Sequence, residues 1–553
     1  MIFSKFLGLK KKASVFLRDY QEQKYKRNQI ANLYKSSLAI PVTQKADRVL
    51  FWVTGGMSLL LNIEGAVALA LRLRGVNVHL VICDGTLPAC VRREVVQDYQ
   101  CSKKEKRCSN CKQSCAAVLD SLGLPYSFVG DFITHDDRAF LFRQAQAVTW
   151  ETVGTLVYEG VNIGKNILSA LIRYSRGHDI KERTDVLLDY TYAGLLVAAA
   201  SRAAIKQYQP KQLFMSHGTY VDWGPALHNA LSQNIPVTAW MSSYMPYQFY
   251  FKQITSEPID FYSISTQAWQ QRKSVPLIEV EKKRLDQFLS NRYKKQISFD
   301  MKSFGVYQDD IQVLKEHYKI DPNKPVWGIF CHINWDNVGD YVPMPYENFN
   351  EWIFDTIVQI SSIEDVTWLI KIHPAEVWEN PQSGLEQFIN KNFPLLPKHI
   401  KIISMHDEIS PLNFYQLIDG AVTVCGTAGL EILLMGKPVI LVGQAHYGQK
   451  GFTYDSFNKK DYHDFLRRVV HMPLLTDYER NLACQYAYCF FLQRQIPFDI
   501  VEHSKNRYFR FDQVDMLLPG NNDFIDFICD GIMAGRDFVM SDTLVEKWCK
   551  LFE

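Results

Sequence analysis

Apolar residues along this chain fall into short continuous blocks separated by longer stretches of helical period. The blocks at Val49–Val53, Val78–Cys83, Gln212–Met215, Val326–Phe330, Val366–Ile372, Ala421–Val424 and Val439–Val442 are too short for helices and carry few polar positions. Blocks of that kind read as strands covered on both faces, as in a parallel sheet. Between them, apolar positions recur at helical spacing over about 64–74, 192–208, 346–360 and 411–417. Strand and helix in alternation predict βαβ units and an α/β fold. The polar helical run EVEKKRLDQFLSNRYKKQ, ending near residue 300, breaks the alternation. Residues 46–300 and 301–490 are therefore read as two Rossmann-like domains, preceded by an arm over 1–45 and followed by helices over 491–553, clearest at Phe524–Ile532 and Leu544–Phe552.

The densest chemistry lies in residues 419–455, DGAVTVCGTAGLEILLMGKPVILVGQAHYGQKGFTYD, read as strand, small-residue turn, helix from about Leu430, and second strand. Small residues at Gly426, Thr427 and Ala428 let backbone N–H groups at a helix start approach an anion, which the helix dipole favours. Glu431, in the first turn, can accept hydrogen bonds from sugar hydroxyls; an ordinary crossover with a capping acid is the plainer reading. Upstream, the block ending in Lys371, His373, Pro374 and Glu376 sets a cation, an imidazole and an acid at a strand tip. In open α/β sheets such tips and turns line one crevice. His406 and Asp407 follow just before the helix at about Pro411–Leu417.

With IKIHPAE, CGTAGLEILLMGKPVILVG and AHYGQKGFTYD in this order, residues from about 325 to 455 resemble the capsule polysaccharide biosynthesis proteins. These are similar to the bacterial capsular Kdo transferases, GT-B glycosyltransferases with a His-Pro motif. The resemblance implies a GT-B-like chain whose two Rossmann-like domains face a cleft, with terminal helices crossing back to the N-domain. It implies a nucleotide-sugar donor, with CMP-linked sugars among the options, and a surface or capsular polysaccharide or its lipid-linked precursor as acceptor. It assigns the donor phosphate to His373, Thr427 and Gly426. A nucleotide-sugar epimerase of the same layout and a non-catalytic glycan-binding assembly protein are the rival readings. Donor sugar, linkage and stereochemical outcome stay open.

In the first domain, Gly55 and Gly56 follow a strand without the spacing of a dinucleotide fingerprint, so neither nicotinamide nor flavin is expected. Glu64, on the following helix, is a candidate catalytic acid or a helix cap. His217, at a strand end with Asp222 nearby in sequence, is the candidate base for an acceptor hydroxyl, its ring oriented by that carboxylate. No DxD-like motif argues for a catalytic metal, and assistance by Mg²⁺ stays open. Six cysteines crowd residues 83–115, read as a loop inserted in the scaffold. The pair Cys108 and Cys111 has metal-knuckle spacing, and a structural zinc on Cys108, Cys111, Cys115 and either Cys90 or Cys101 is expected; an iron–sulfur cluster and unliganded thiols are the alternatives.

Composition narrows the partners. The chain has 553 residues, 47% of them apolar, and a formal net charge of +2, which gives no basic field for nucleic acid. No apolar run reaches the roughly 18–20 residues of a membrane span. A cytoplasmic protein is expected. The arm over 1–45 is amphipathic and basic, with Phe6, Phe16 and Leu17 among its apolar positions and Lys10, Lys11 and Lys12 among its basic ones. It reads either as a helix packed on its own domain or as peripheral attachment to the inner face of the membrane.

Overall fold

The computed structural model describes residues 47–54, 58–93, 104–244, 247–293, 310–335, 343–378, 384–407, 409–500 and 510–550. The arm, Gly55, Gly56 and Cys101 lie outside the described residues.

Two sheets carry the molecule. The first contains β1 (Arg48–Val53), β2 (Asn77–Ile82), β3 (Tyr126–Phe128), β6 (Gln212–Ser216), β7 (Val237–Ser242), β8 (Gln248–Ile254) and β15 (Ile496–Pro497). A separate hairpin pairs β4 (Val157–Tyr158) with β5 (Val161–Asn162). The spatial order is β15-β8-β7-β6-β1-β2-β3, parallel from β7 to β3, with β8 antiparallel to β7. The second sheet contains β9 (Val326–Phe330), β10 (Thr367–Lys371), β11 (Ile400–Ile403), β12 (Gly420–Thr423), β13 (Val439–Leu441) and β14 (Tyr454–Asp455). Its order is β11-β10-β9-β12-β13-β14, and all the pairs are parallel. This mixed α/β architecture of two Rossmann-like sheets is the GT-B-like one expected. The apolar blocks become buried strands for the reason their composition suggests: β1 buries Leu50, Phe51 and Trp52 among helices, and β10 buries Trp368, Leu369 and Ile370.

The chain crosses back after the second sheet. β15 pairs antiparallel with β8, Ile496 opposite Phe249. Just before it, the fully buried Arg494 donates to the carbonyls of Ser263 at 3.0 Å, Phe261 at 3.2 Å and Phe251 at 3.3 Å, and to that of Tyr262. The helix Asp523–Ala534 packs on the helix Ser58–Leu73, and Asp526 pairs with Arg74.

Three local expectations change. The cysteine-rich stretch is not a loop beyond residue 103 but the helix Lys104–Leu122. Cys111, Cys115, Val118, Leu119 and Leu122 recur at helical spacing and pack into the core, which outweighs the polar composition of the first turns. The helix after β12 begins at Thr427, earlier than Leu430, and the helix after β1 begins at Ser58, earlier than Glu64. Among the described residues no helix is long and apolar enough to cross a membrane.

Candidate functional site

The second sheet changes winding direction between β9 and β12, so the carboxyl ends of these two strands flank a crevice of the kind that takes ligands in doubly wound sheets. Across it His332, two residues beyond β9, meets the turn beyond β12. The Cys425 N–H donates to His332 Nε2 at 3.4 Å, and Thr423 Oγ1 lies 3.2 Å from the same nitrogen. The ring stacks on Phe349 with centroids 5.0 Å apart. Accepting a backbone N–H leaves Nε2 without a proton; burial, and then the charge of the neighbouring His373, pull the pKa of His332 down to about 3. His332 is therefore a neutral prop for the turn.

The turn is packed to tolerance. Gly426 N–H donates to Thr423 Oγ1 at 3.2 Å, and the Tyr447 hydroxyl donates to Gly426 O at 2.7 Å. A Cβ at Gly429 would lie 2.2 Å from that hydroxyl. With the Gly426 N–H taken, the expectation that it binds phosphate is corrected: the first turn of the helix offers instead the N–H groups of Thr427 and Ala428, for which no partner is found among the described contacts. The Thr427 hydroxyl is 2.6 Å from that of Tyr244, which follows β7 in the first sheet.

At the tip of β10, His373 Nδ1 accepts the Ala375 N–H at 3.2 Å, which sets its ring. Burial pulls the Lys371 ammonium down to about 8, opposed by the carboxylates of Asp407 and Glu386. It remains largely cationic at neutral pH.

Two expected donor ligands are otherwise employed. Glu431 is locked across the domain connection: Arg292 Nε donates to Oε1 and the Tyr293 hydroxyl to Oε2, both at 2.9 Å. Its side chain is 1% exposed, so no oxygen remains for a sugar hydroxyl. Arg292 also lies over the Tyr244 ring, 4.5 Å from its centroid. Glu376 accepts the Leu385 N–H with both oxygens, at 3.1 and 3.0 Å, capping the helix Leu385–Asn392. Burial raises it to about 7, against those backbone donors. A Cβ at Gly384 would come within 2.4 Å of Glu376 Oε2. Both acids are structural.

The first sheet has a switch point of its own, between β1 and β6. His217 follows β6, its Nδ1 2.6 Å from Thr219 Oγ1 and its ring edge-on to Trp223 at 4.6 Å. Asp222 does not orient it. The helix Tyr220–Ser232 carries Asp222 to Val91, whose N–H donates to Oδ2 at 2.9 Å; Oδ1 is buried without a partner. Burial lifts Asp222 to about 7. Glu64 accepts from Trp240 Nε1 at 3.1 Å, and burial lifts it to about 8, against that bond and one from the Ser216 backbone. At neutral pH it holds a proton beside the strand end that carries His217. The intervening loop is strained: Tyr220 sits at φ +60° after Gly218 at +73°.

The cysteines do not assemble as a zinc tetrad. Cys108, Cys111 and Cys115 share one helix, and seven helical residues spread the outer pair by about 10 Å, far beyond the spacing of sulfurs around one ion. Among the described residues no three His, Cys, Asp or Glu side chains converge to hold a metal. Sequence reasoning missed His332, Tyr244 and Arg292. Only the position of His332, just beyond a strand in a doubly wound sheet, could have signalled it.

Residues 347–485 match the family model described as capsule polysaccharide biosynthesis protein, so the resemblance read from the His-Pro and small-residue-turn segments holds over that stretch. No curated protein matches the chain. Among solved structures, two of Thermosulfurimonas dismutans KpsC are similar. The beta Kdo 2,4 transferase is 13% identical with a TM-score of 0.31, covering 56% of this chain and 87% of its own. The beta Kdo 2,7 transferase is 14% identical with a TM-score of 0.32, covering 58% and 88%. A putative UDP-N-acetylglucosamine 2-epimerase from Listeria monocytogenes is 11% identical with a TM-score of 0.30, covering 90% and 100%. At such values none of the three carries an argument about activity.

Proposed function

We propose that this protein is a glycosyltransferase of surface or capsular polysaccharide assembly, moving a sugar from a nucleotide-sugar donor to a glycan or lipid-linked glycan. What supports the reading most is the crevice at the β9–β12 switch point, where His373, Lys371 and the Thr427 and Ala428 N–H groups offer charge and donors to a phosphate. In glycosyl transfer, negative charge develops on the leaving nucleotide's phosphate as the glycosidic bond breaks. Fixed donors and a cation held in place before that moment stabilise it without reorganisation. His332 and Tyr447 keep the turn in shape, and Arg292 with Glu431 fixes the helix behind it.

The acceptor stands against the first sheet. His217 Nδ1 accepts the Thr219 N–H at 3.2 Å, which leaves the ring proton on Nε2, so His217 meets an acceptor hydroxyl as a hydrogen-bond donor and not as its base, and the protonated Glu64 lies beside the strand end that carries His217. The basic arm over 1–45 suits a lipid-linked acceptor at the inner membrane face.

The test is a turnover assay with CMP, UDP, GDP and CDP sugars, run with and without glycan acceptor. A transferase releases nucleotide only with acceptor; an epimerase converts the sugar alone. His373→Ala should lower turnover at least about tenfold. Unchanged donor affinity and rate in that variant would remove the phosphate assignment.

A further inference from the structure

Five of the cysteines gather at the carboxyl end of β2 and on the helix beside it. Cys83 directly follows β2, Cys90 lies in the loop beyond, and Cys108, Cys111 and Cys115 sit one turn apart on the helix Lys104–Leu122. A Cβ at Gly85 would touch that of Cys108 at 3.4 Å, which fixes how closely loop and helix approach. Within the group, Cys111 and Cys115 stand four residues apart on one helix, where side chains are neighbours on the same face. Cys115 is buried, whereas Cys111 is partly exposed, so a small reagent reaches one sulfur with the second directly behind it.

We propose that Cys111 and Cys115 form a redox pair, a thiol modification site in which Cys111 reacts with a hydroperoxide and Cys115 resolves it to a disulfide. The proposal does not depend on the glycosyltransferase reading. Cys111 Sγ, as thiolate, attacks one oxygen of the hydroperoxide; the O–O bond breaks, and the departing alkoxide or hydroxide takes a proton from water. Cys115 Sγ then attacks the Cys111 sulfenic sulfur, the S–O bond breaks, and hydroxide leaves with the Cys115 proton as water. Two thiols lose two electrons in all, and the hydroperoxide gains them.

The surroundings favour this order. The Cys115 thiol donates to Cys111, and Arg92 adds its charge; together they bring Cys111 down to about 7 against the opposing effect of burial. Burial instead pushes Cys83 up to about 12, which leaves it inert. Residues four apart on a helix have Cβ atoms about 5–6 Å apart, and a disulfide draws them to about 3.5–4.5 Å. Closing the bond therefore shortens this turn of a helix that packs on Ser58–Leu73, the helix bearing Glu64. Reversible disulfides of this kind suit a reducing compartment, where structural ones do not persist.

The experiment treats the reduced full chain with hydrogen peroxide, alkylates the remaining thiols, and maps peptides by mass spectrometry. Trypsin cleaves after Lys112, between the two cysteines, so the expected product is a cross-linked peptide pair two hydrogens lighter that dithiothreitol separates. Before oxidation, Cys111 should alkylate at least about tenfold faster than Cys83 at pH 7.5. Cys115→Ser should leave a sulfenic acid on Cys111 that dimedone traps, Cys111→Ser should abolish both products, and Cys108→Ser should leave the cross-link intact. Circular dichroism confirms that each variant is folded. The proposal is overturned if the cross-link survives Cys111→Ser, if Cys111 alkylates no faster than Cys83, or if chelator-free protein carries one zinc per chain that shields these thiols.

Discussion

Replacing Arg292 with methionine isolates what holds the helix behind the phosphate turn. The arginine stem packs much as methionine would, so the variant removes charge and donors at roughly constant volume. Glu431, 1% exposed, then keeps only neutral partners, the Tyr293 hydroxyl at 2.9 Å and that of Tyr415. Breaking a buried ion pair from one side costs about 3–5 kcal/mol, because the surviving charge stays buried without its counter-ion. Against a total stability of about 5–15 kcal/mol that is a large share. Replacing both members, Arg292→Met with Glu431→Gln, removes the stranded charge and should recover most of the loss, to within about 1.5 kcal/mol of the parent. Urea unfolding followed by tryptophan fluorescence reads this directly, since Trp327, Trp352 and Trp368 are buried in the second sheet's core. With a slope near 3 kcal/mol per molar, the single variant's midpoint should fall by about 1–1.7 M. A single variant within about 0.5 kcal/mol of the parent, or a double variant no better than the single, refutes the account of Glu431 as a structural anchor.

Three further outcomes follow from the same geometry. Glu64 holds its proton up to about pH 8, well above its unfolded value, so its contribution to stability is full below about pH 4.5 and drains away at about 1.4 kcal/mol per pH unit as pH rises to 8. Glu64→Gln removes that slope, and the stability difference between the two proteins should change by about 2.7 kcal/mol between pH 5 and pH 7; parallel curves would contradict a buried neutral acid. Lys371 loses its charge as pH rises through about 8, so nucleotide affinity, measured by calorimetry, should fall several-fold from pH 7 to pH 9, and Lys371→Met should flatten the profile. Gly429→Ala sets a methyl group 2.2 Å from the Tyr447 hydroxyl and should cost about 1–3 kcal/mol in the same urea assay, with Gly429→Ala in a Tyr447→Phe background costing less.

Much of the scaffold could be read from the apolar blocks, because a parallel sheet buried on both faces leaves an unbroken signature: β1, β9, β10 and β12 fall where those blocks lie. Lys371 and His373 at the end of β10 and Gly426 and Thr427 just beyond β12 fall at the strand ends that those blocks predict. The roles of acids were not legible. Glu376 and Glu431 look like ligands in one dimension and are consumed in three by Leu385, Arg292 and Tyr293, partners 9 to 139 residues away. Asp222 stands five residues from His217, yet one turn of helix aims it at Val91. The cysteines misled in another way, since metal-knuckle spacing and one helix face share the same three-residue interval, and only core packing decides between them.

β15 pairs with β8 some 240 residues after β8 has been made. At a synthesis rate of about 5–20 residues per second, the β8 edge and the four carbonyls that later receive Arg494 stay unpaired for roughly 10–50 s in each newly made chain. An open strand edge invites pairing with another chain. The first sheet is thus sequence-discontinuous, and a fragment ending between the two sheets should come off the ribosome aggregation-prone.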